Sequence, residues 1–231
     1  MTVEAFPRFE FAGTAWLHDA PASQRAQLLP ALVSRFNHDL RTPLNTIAGW
    51  AHLLKAGDAE VAQVRHVADV LARNVRDQTA LLGEFVDDAR AILDALVLHP
   101  ANVAASEVVS AAAARLALAL ELHGLQLRTS MAPDLRLNAD LARTQRLLYR
   151  LLHVAVRRAP EASEVRLGVA EDDPCLEFMV DAPTAQPAFE EAALLDLRIA
   201  SMVTAAARGT LDIGRPDGGT HLLLRLPLAT E

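Results

Sequence analysis

Two long runs of apolar residues at helical spacing, joined by a short connector, constrain the fold of this chain more than any other feature. In the first run the spacing alternates between three and four residues, through Leu29, Leu32, Phe36, Leu40, Leu44, Ile47, Ala51 and Leu54. The second run has a heptad-like spacing, through Val64, Val67, Leu71, Val75, Gln78, Leu82, Phe85, Ala89, Ile92 and Leu96. Each run predicts one long helix with a single apolar stripe.

The connector between the two runs is brief and reads KAGDAE. Gly57 suits the left-handed position that ends a helix, and Asp58 can cap the helix that follows. A connector of this length makes the two helices antiparallel neighbours. Because the apolar seam of such a hairpin is wider than two helices can bury, we expect two copies of the chain to form a dimeric four-helix bundle.

The chain divides into three predicted regions. Residues 1–24 lack sustained periodicity and form a lead segment, residues 25–98 form the helical hairpin, and residues 99–231 mix helices with strands. In the last region we predict helices over 106–122, 139–158 and 190–207, and strands over 125–130, 164–170, 176–181, 210–213 and 221–227. The predicted fold class is α+β, an antiparallel helical hairpin followed by an α/β sandwich.

Charge and composition exclude several classes of function. A net charge of −7 and the lack of a Lys and Arg cluster argue against a nucleic-acid partner. Cys175 is the single cysteine, so we expect no disulfide framework and no cysteine-based metal site, and the reducing cytoplasm is the predicted compartment. The sequence contains no apolar run long enough to cross a membrane, and its first residues do not resemble a signal peptide.

A polar patch interrupts the first helix in the stretch FNHDLRTPLNTIAGWAHLL, which begins at Phe36. His38 lies two residues after Phe36, about 200° around the helix from the apolar stripe, so its side chain should face water. Thr42 and Asn45 follow on the same face. An exposed imidazole beside a carboxylate is a candidate nucleophile, although a lone histidine on a helix is more often an ordinary surface residue.

This stretch resembles the H-box of two-component sensor histidine kinases, whose usual form is Ser-His-Glu-Leu-Arg-Thr-Pro-Leu. The hairpin around it is similar to the dimerisation and histidine phosphotransfer domain of that family. The resemblance implies that His38 is the phospho-accepting residue, that Asp39 is its acidic partner, and that Thr42 positions a water during dephosphorylation of a partner. Arg41 and Pro43 also match the pattern. Aspartate in place of glutamate at position 39 is a departure that shortens the side chain and keeps the carboxylate.

The second half of the chain resembles, more weakly, the ATP-binding domain that follows this hairpin in the kinases. RTQRLLYRLLHVAVRRAP, residues 143–160, has the form of the N-box helix. EFMVDAP, residues 177–183, is similar to the beginning of the G1 box, and GGTHLLLRLPL, residues 218–228, to the last strand. The resemblance therefore implies an α/β sandwich of the kinase ATP-binding type.

The residues that would bind a nucleotide depart from the family pattern. Val154 stands where the family has an asparagine that helps to hold magnesium, and valine cannot coordinate a hard cation. The G1 pattern Asp-x-Gly-x-Gly is replaced by DAPTA, which keeps Asp181 and puts Pro183 and Ala185 at the glycine positions. Asp196 lies where the family has phosphate-cradling glycines and would repel a triphosphate.

The interval from Gly168 to Gly209 contains no other glycine, so we expect no backbone nest for phosphate there. The DGG sequence, residues 217–219, is more simply explained as a tight turn before the last strand. Arg157 and Arg158 are expected to form a solvated or partner-facing helix end.

An H-box beside an altered nucleotide site implies, within this resemblance, a phosphorelay histidine phosphotransferase without autokinase activity in bacterial two-component signalling. His38 would carry a phosphoryl group between receiver-domain aspartates, with no bound ATP. Mg²⁺ would be supplied by the receiver, so we expect neither a cofactor nor a metal site in this chain. The implied partners are response-regulator receivers, a second copy of the chain and an upstream hybrid histidine kinase. Near His38, a receiver would be recognised at Arg35, Arg41, Asn45 and His52.

Two alternatives stay open at this point. A divergent active sensor kinase or receiver phosphatase would also need the HDLRT sequence, and tight binding of MgATP would favour the kinase. A non-catalytic pseudokinase scaffold that binds a response regulator would not need the imidazole, and would be indifferent to His38→Ala.

Overall fold

The computed structural model of the protein describes residues 21–56, 61–184, 188–214 and 219–229. Most of the predicted lead segment, residues 1–20, lies outside these ranges. So do both residues predicted to form the hairpin connector, Gly57 and Asp58, together with Ala185 of the DAPTA stretch and the first two residues of the DGG sequence. The described residues form two compact units, which meet in the chain between Ala95 and Leu96.

The first unit is a pair of long helices preceded by a short one. Helix α1 spans Ala22–Ala26, α2 spans Leu29–Ala56 and α3 spans Val61–Ile92. Helix α2 continues through Pro43. Helix α3 ends before the predicted Leu96, because Asp94 adopts a left-handed conformation with φ of 59° and such a residue ends a helix.

The apolar stripes of α2 and α3 face each other in this unit. Leu32, Val67 and Ile92 are buried, and the rings of Phe36 and Phe85 stack with their centroids 4.3 Å apart. Other members of the predicted stripes are about half exposed in the single hairpin, namely Leu44, Val64, Val75 and Leu82. The hairpin therefore leaves part of its apolar seam uncovered.

The second unit alternates strands and helices. Its elements in order are β1 (Ala101–Ala104), α4 (Ala105–Leu122), β2 (Gln126–Met131), β3 (Arg136–Ala139), α5 (Leu141–Arg158), β4 (Glu164–Asp172), β5 (Cys175–Ala182), α6 (Glu191–Ala206), β6 (Thr210–Gly214) and β7 (Thr220–Pro227). Five strands form one sheet in the order β2-β4-β5-β7-β6, in which β2 and β4 are parallel and the other neighbours antiparallel. The short strands β1 and β3 pair separately.

The core of this unit lies between the sheet and its helices. Leu116 of α4 and Leu151 of α5 pack into one apolar cluster with Phe178 and Leu224 of the sheet. The α+β fold class, with a helical hairpin followed by an α/β layer, is therefore confirmed. The prediction omitted β1 and β3, and it began α5 at Ala139. The helix begins after Asp140, whose Oδ1 atom accepts a hydrogen bond from the backbone N–H of Arg143 at 3.2 Å and caps the first turn.

Across the described residues, none of the helices has both the length and the apolar character of a membrane span.

Candidate functional site

The polar patch of α2 is exposed, as its position on the helix predicted. The side chain of His38 is 84% exposed, and its Nδ1 atom lies 3.3 Å from Oδ1 of Asp39. This contact joins two successive residues of one helix. When the Nδ1–H donates to the carboxylate, the lone pair of the neutral ring is on Nε2, the nitrogen that points away from Asp39.

The other predicted site residues follow on the same helix. Arg41, Thr42 and Asn45 are exposed, and Pro43 is half-buried. Thr42 lies one turn after His38 and shares its face, and its backbone carbonyl accepts a hydrogen bond from the Thr46 hydroxyl at 3.1 Å. The structure thus places the predicted residues together along one surface of α2.

The turn that precedes His38 is attached to α3 by two contacts. Arg35 donates from Nη2 to Oδ2 of Asp88 at 3.0 Å, and the Asp88 side chain is buried. One residue further along, Phe36 stacks on Phe85. Arg35, which is also predicted to contact a receiver, forms this ion pair within the hairpin. The sequence analysis missed Asp88. Two successive acidic residues, Asp87 and Asp88, near the end of an apolar stripe could have indicated a partner for an arginine.

Among the described residues, a small cavity lies beside Val154, the position where the family resemblance puts a magnesium ligand. Val154 is 2% exposed. A cavity bounded by Val154 on α5 and by Ala193 and Asp196 on α6 has a volume of about 10 Å³, room for roughly one water molecule. Its other lining residues are Arg157, Arg158 and Glu190.

Asp181, the acidic residue kept from the G1 pattern, is engaged by the protein itself. Its Oδ1 atom lies 2.8 Å from Nδ1 of His221, and its Oδ2 atom forms an ion pair with Arg166. Burial opposes ionisation of this carboxyl, but the hydrogen bond and charge of His221 and the charge of Arg166 outweigh that effect, so the pKa of Asp181 lies below its usual range. The adjacent Ala182 belongs to the core, so Asp181 points to the opposite face of the sheet.

Ion pairs join α5 to the neighbouring segment and to α6. Arg150 lies 3.4 Å from Asp196, which stands at a position where the family has glycine, and Arg157 lies 3.2 Å from Glu190. These ion pairs hold α5 against α6 and against Glu190, beside the cavity at Val154.

The expectation that Arg158 is solvated or faces a partner is wrong. Its side chain is buried, donates from Nε to the Thr220 hydroxyl at 3.1 Å and from Nη1 to the Ala188 carbonyl at 2.6 Å, and covers the ring of Phe189 at 4.1 Å. A buried guanidinium requires such partners, because an unpaired charge in the interior is costly. Arg158 therefore joins α5 to β7.

These side chains do not fit a magnesium-bound triphosphate. Val154 offers no oxygen ligand, and the carboxylates of Asp181 and Asp196 already contact cationic side chains. His153 stacks on Tyr149, and burial lowers its pKa more than the charge of Asp196 raises it, while nearby arginines lower it further. Within the described part of the chain, three His, Cys, Asp or Glu side chains do not converge anywhere to hold a metal ion.

Comparison with known proteins agrees with the geometry of the first unit. Residues 31–92 match the His Kinase A (phospho-acceptor) domain. The chain is 26% identical over 165 residues to histidine protein kinase DivJ of Caulobacter vibrioides, an alignment that covers 70% of this chain and 27% of DivJ. It is 25% identical over 162 residues to the autoinducer 2 sensor kinase/phosphatase LuxQ of Vibrio cholerae, covering 69% of this chain and 19% of LuxQ. The chain thus corresponds to a minor part of the length of both relatives.

Solved structures share the fold of both units. The structure of histidine kinase ThkA in complex with response regulator protein TrrA covers 90% of this chain and 64% of that chain, with a TM-score of 0.56 and 15% identity. Residues 31–92 are therefore similar to the phospho-acceptor domain of histidine kinases. The helical hairpin followed by the α/β unit has the fold that is found in histidine kinase structures.

Proposed function

We propose that this protein is a histidine phosphotransferase of two-component signalling, which takes a phosphoryl group from the aspartate of one receiver domain onto His38 and passes it to another. The observation that carries the proposal is a contrast between two sites. His38 is open to solvent beside Asp39, whereas the cavity at Val154 has room for roughly one water molecule.

The chemistry needs only the groups that the first unit presents. Nε2 of His38 attacks the phosphorus of a receiver acyl phosphate, an N–P bond forms, the O–P bond breaks, and the receiver aspartate leaves as a free carboxylate. Asp39 holds the proton on Nδ1 and stabilises the positive charge that develops on the ring. The reverse sequence delivers the phosphoryl group to a second receiver aspartate.

The α/β unit would contribute no nucleotide to this reaction. Its ion pairs, Arg150–Asp196 and Arg157–Glu190, engage these arginines within the protein. Mg²⁺ would enter with the acidic pocket of the receiver. In this proposal the unit remains as a stable body and a docking surface.

Two partners follow from the first unit. The half-exposed stripe of Leu44, Val64, Val75 and Leu82 supports a homodimer, because a second hairpin would cover it. A response-regulator receiver is the second proposed partner, by analogy with ThkA, whose solved complex contains the response regulator TrrA. An upstream hybrid kinase would be one source of such a receiver, and we propose the cytoplasm as the compartment.

Receiver dephosphorylation is a second candidate function, favoured by Thr42. Its exposed side chain lies one turn from His38 on the same helix face, where it can orient a water toward a bound aspartyl phosphate. The relative LuxQ is named as a kinase/phosphatase. In this case phosphate would be released to solvent and Thr42→Ala would reduce the release, whereas a pure phosphotransferase would retain the phosphoryl group on protein.

The test of the proposed function uses receiver domains from the same genome, phosphorylated with radiolabelled acetyl phosphate. We expect acid-labile label to appear on the wild-type protein and then on a second receiver. His38→Ala should abolish both steps. His123→Ala, which removes an exposed histidine of the α/β unit, is the matched control and should behave as wild type. Passage of label that is unchanged by His38→Ala would contradict the proposal and favour a scaffold.

A further inference from the structure

The ion pair between Arg35 and Asp88 lies one helical turn before His38. Asp88 is 9% exposed at its side chain, and the Nη2–Oδ2 distance is 3.0 Å. It links the turn of α2 that precedes the imidazole to α3, beside the stacked rings of Phe36 and Phe85. A directional hydrogen bond and an apolar ring contact thus join the same parts of α2 and α3.

An ion pair with one buried partner contributes more to alignment than to stability. The free energy of removing two charges from water offsets most of their attraction, so an apolar pair of similar size is often as stable. An ion pair with a hydrogen bond nevertheless requires a defined distance and angle, whereas stacked rings and aliphatic contacts tolerate sliding. Arg35 and Asp88 are therefore suited to fix the register of α2 against α3.

We infer that Arg35 and Asp88 are positioning residues for His38, because their ion pair fixes the rotation of α2 about its axis at the turn that carries the imidazole. Each residue of a helix is offset by about 100°. A slip of one position would move His38 from the solvent face toward the seam. The inference rests on the proposed role of His38 as phosphoacceptor.

Phosphoramidate is the probe that tests this inference without a receiver. It phosphorylates an imidazole nitrogen directly: its own P–N bond breaks, an N–P bond forms at His38, and ammonia leaves. The rate of acid-labile phosphorylation at His38, followed by mass spectrometry, therefore reports the exposure and orientation of the ring. His38→Ala gives the background.

The decisive variant replaces both charges by apolar residues, Arg35→Met with Asp88→Leu. Both charges are removed together, so neither is left behind without the other, and the hairpin should keep its helicity and melting temperature. We expect its phosphorylation rate to fall about tenfold or more, the size of effect that small misplacements of reactive groups produce. Arg35→Lys keeps the opposite charges and should retain most of the wild-type rate.

The matched control is Asp94→Asn, which removes the exposed carboxylate of the Arg25–Asp94 pair of the same unit, 3.6 Å long. It should label at the wild-type rate. Equal rates for the wild type and the apolar double variant would overturn the inference, whatever the receivers do. If phosphoramidate labels His38 but none of the phosphorylated receivers does, the proposed function fails and this inference does not. The phosphoramidate rates of the variants would still decide the role of Arg35 and Asp88.

Discussion

At the scale of single residues, Gly209 is a position where the fold leaves no space for a side chain. It follows the left-handed Arg208 at the end of α6. A Cβ atom added there would lie 2.2 Å from the carbonyl oxygen of Arg225 and 2.9 Å from a methyl group of Leu226. Because the first of these atoms belongs to the backbone of β7, the strand itself would have to move.

Gly209→Ala should therefore lower the free energy of unfolding of the α/β unit by about 1–3 kcal/mol, the usual cost of overpacking. Gly49→Ala is the control, since an added Cβ at this position of α2 meets nothing within 4 Å, and the helix should gain about 1 kcal/mol. Urea denaturation followed by circular dichroism measures both changes. Equal stability of Gly209→Ala and wild type would show that β7 can shift at Arg225 with little cost in free energy.

Asp181 links stability to pH at the same scale. Its pKa in the folded protein lies below the ordinary value of 3.8, because contacts with His221 and Arg166 outweigh its burial. Between the two pKa values the unfolded chain binds more protons than the folded one, so stability rises with pH there. The contribution of Asp181 is complete above the unfolded-state pKa and is lost as the pH falls through the lower, folded-state pKa.

Asp181→Asn is expected to cost about 2 kcal/mol at neutral pH, as a charged hydrogen bond is lost, and to flatten the acid limb of the stability curve. Asp172→Asn, at an exposed position of β4, should leave that limb unchanged. Thermal unfolding measured from neutral pH down to acid conditions tests this. An acid limb as steep in Asp181→Asn as in the wild type would assign the pH dependence to other groups.

At the scale of helices, the apolar stripe of the hairpin determines assembly. Leu82 is 51% exposed and Val75 55% exposed in the single hairpin, and both lie on the predicted stripe of α3. Leu82→Arg should weaken the proposed dimer by about a hundredfold or more, because a charge would be buried at the centre of the interface. Sedimentation equilibrium measures the change in dissociation constant.

Leu118→Arg provides the matched control for this prediction. Leu118 is 67% exposed on α4 and lies outside the hairpin, so the substitution adds the same charge without touching the stripe. The dimer should persist in this variant. If Leu118→Arg dissociates the protein and Leu82→Arg does not, the interface belongs to the α/β unit and the proposed four-helix bundle is wrong.

Elements differed in how well the sequence predicted them. The long helices were predictable because a repeated apolar stripe is a local pattern, and α2 begins and ends within the first run and its connector. β1 and β3 were not, since each has four residues and exists through pairing with a strand some thirty residues away. The early end of α3 depends on the left-handed Asp94, for which no glycine signalled a break.

The candidate site shows the same division between local and distant information. His38, Asp39 and Thr42 could be assigned to one face because helix geometry relates neighbours in sequence. The partner of Arg35, Asp88, lies 53 residues away, and the partner of Arg158, Thr220, lies 62 residues away. No periodicity relates such pairs, so the partner of Arg35 and the burial of Arg158 could be found only from the fold.

At the scale of the whole molecule, charge is distributed unevenly. Helix α5 carries five arginines and no acidic residue, in a chain whose net charge is −7. Asp140, Asp196 and Glu190 each form an ion pair with an arginine of this helix. In a nucleotide-binding domain, cations beside the N-box would be available for phosphates. Here acidic side chains of the same unit pair with three of the arginines, and we expect that a triphosphate would have to break these ion pairs before it could bind.

This competition predicts the response of the entire protein to nucleotide. A ligand at a hundred times its dissociation constant stabilises a protein by about 2.7 kcal/mol, enough to raise the melting temperature of a unit of this size by several degrees. We expect millimolar MgATP to leave the melting temperature of the full chain unchanged and to give no heat of binding in calorimetry. Mg²⁺ with a non-binding anion controls for ionic strength. A clear shift of the melting temperature, together with γ-phosphate label on the wild type that His38→Ala removes, would contradict this prediction. It would mean that the Arg150–Asp196 ion pair breaks to admit the nucleotide and that the protein is a kinase.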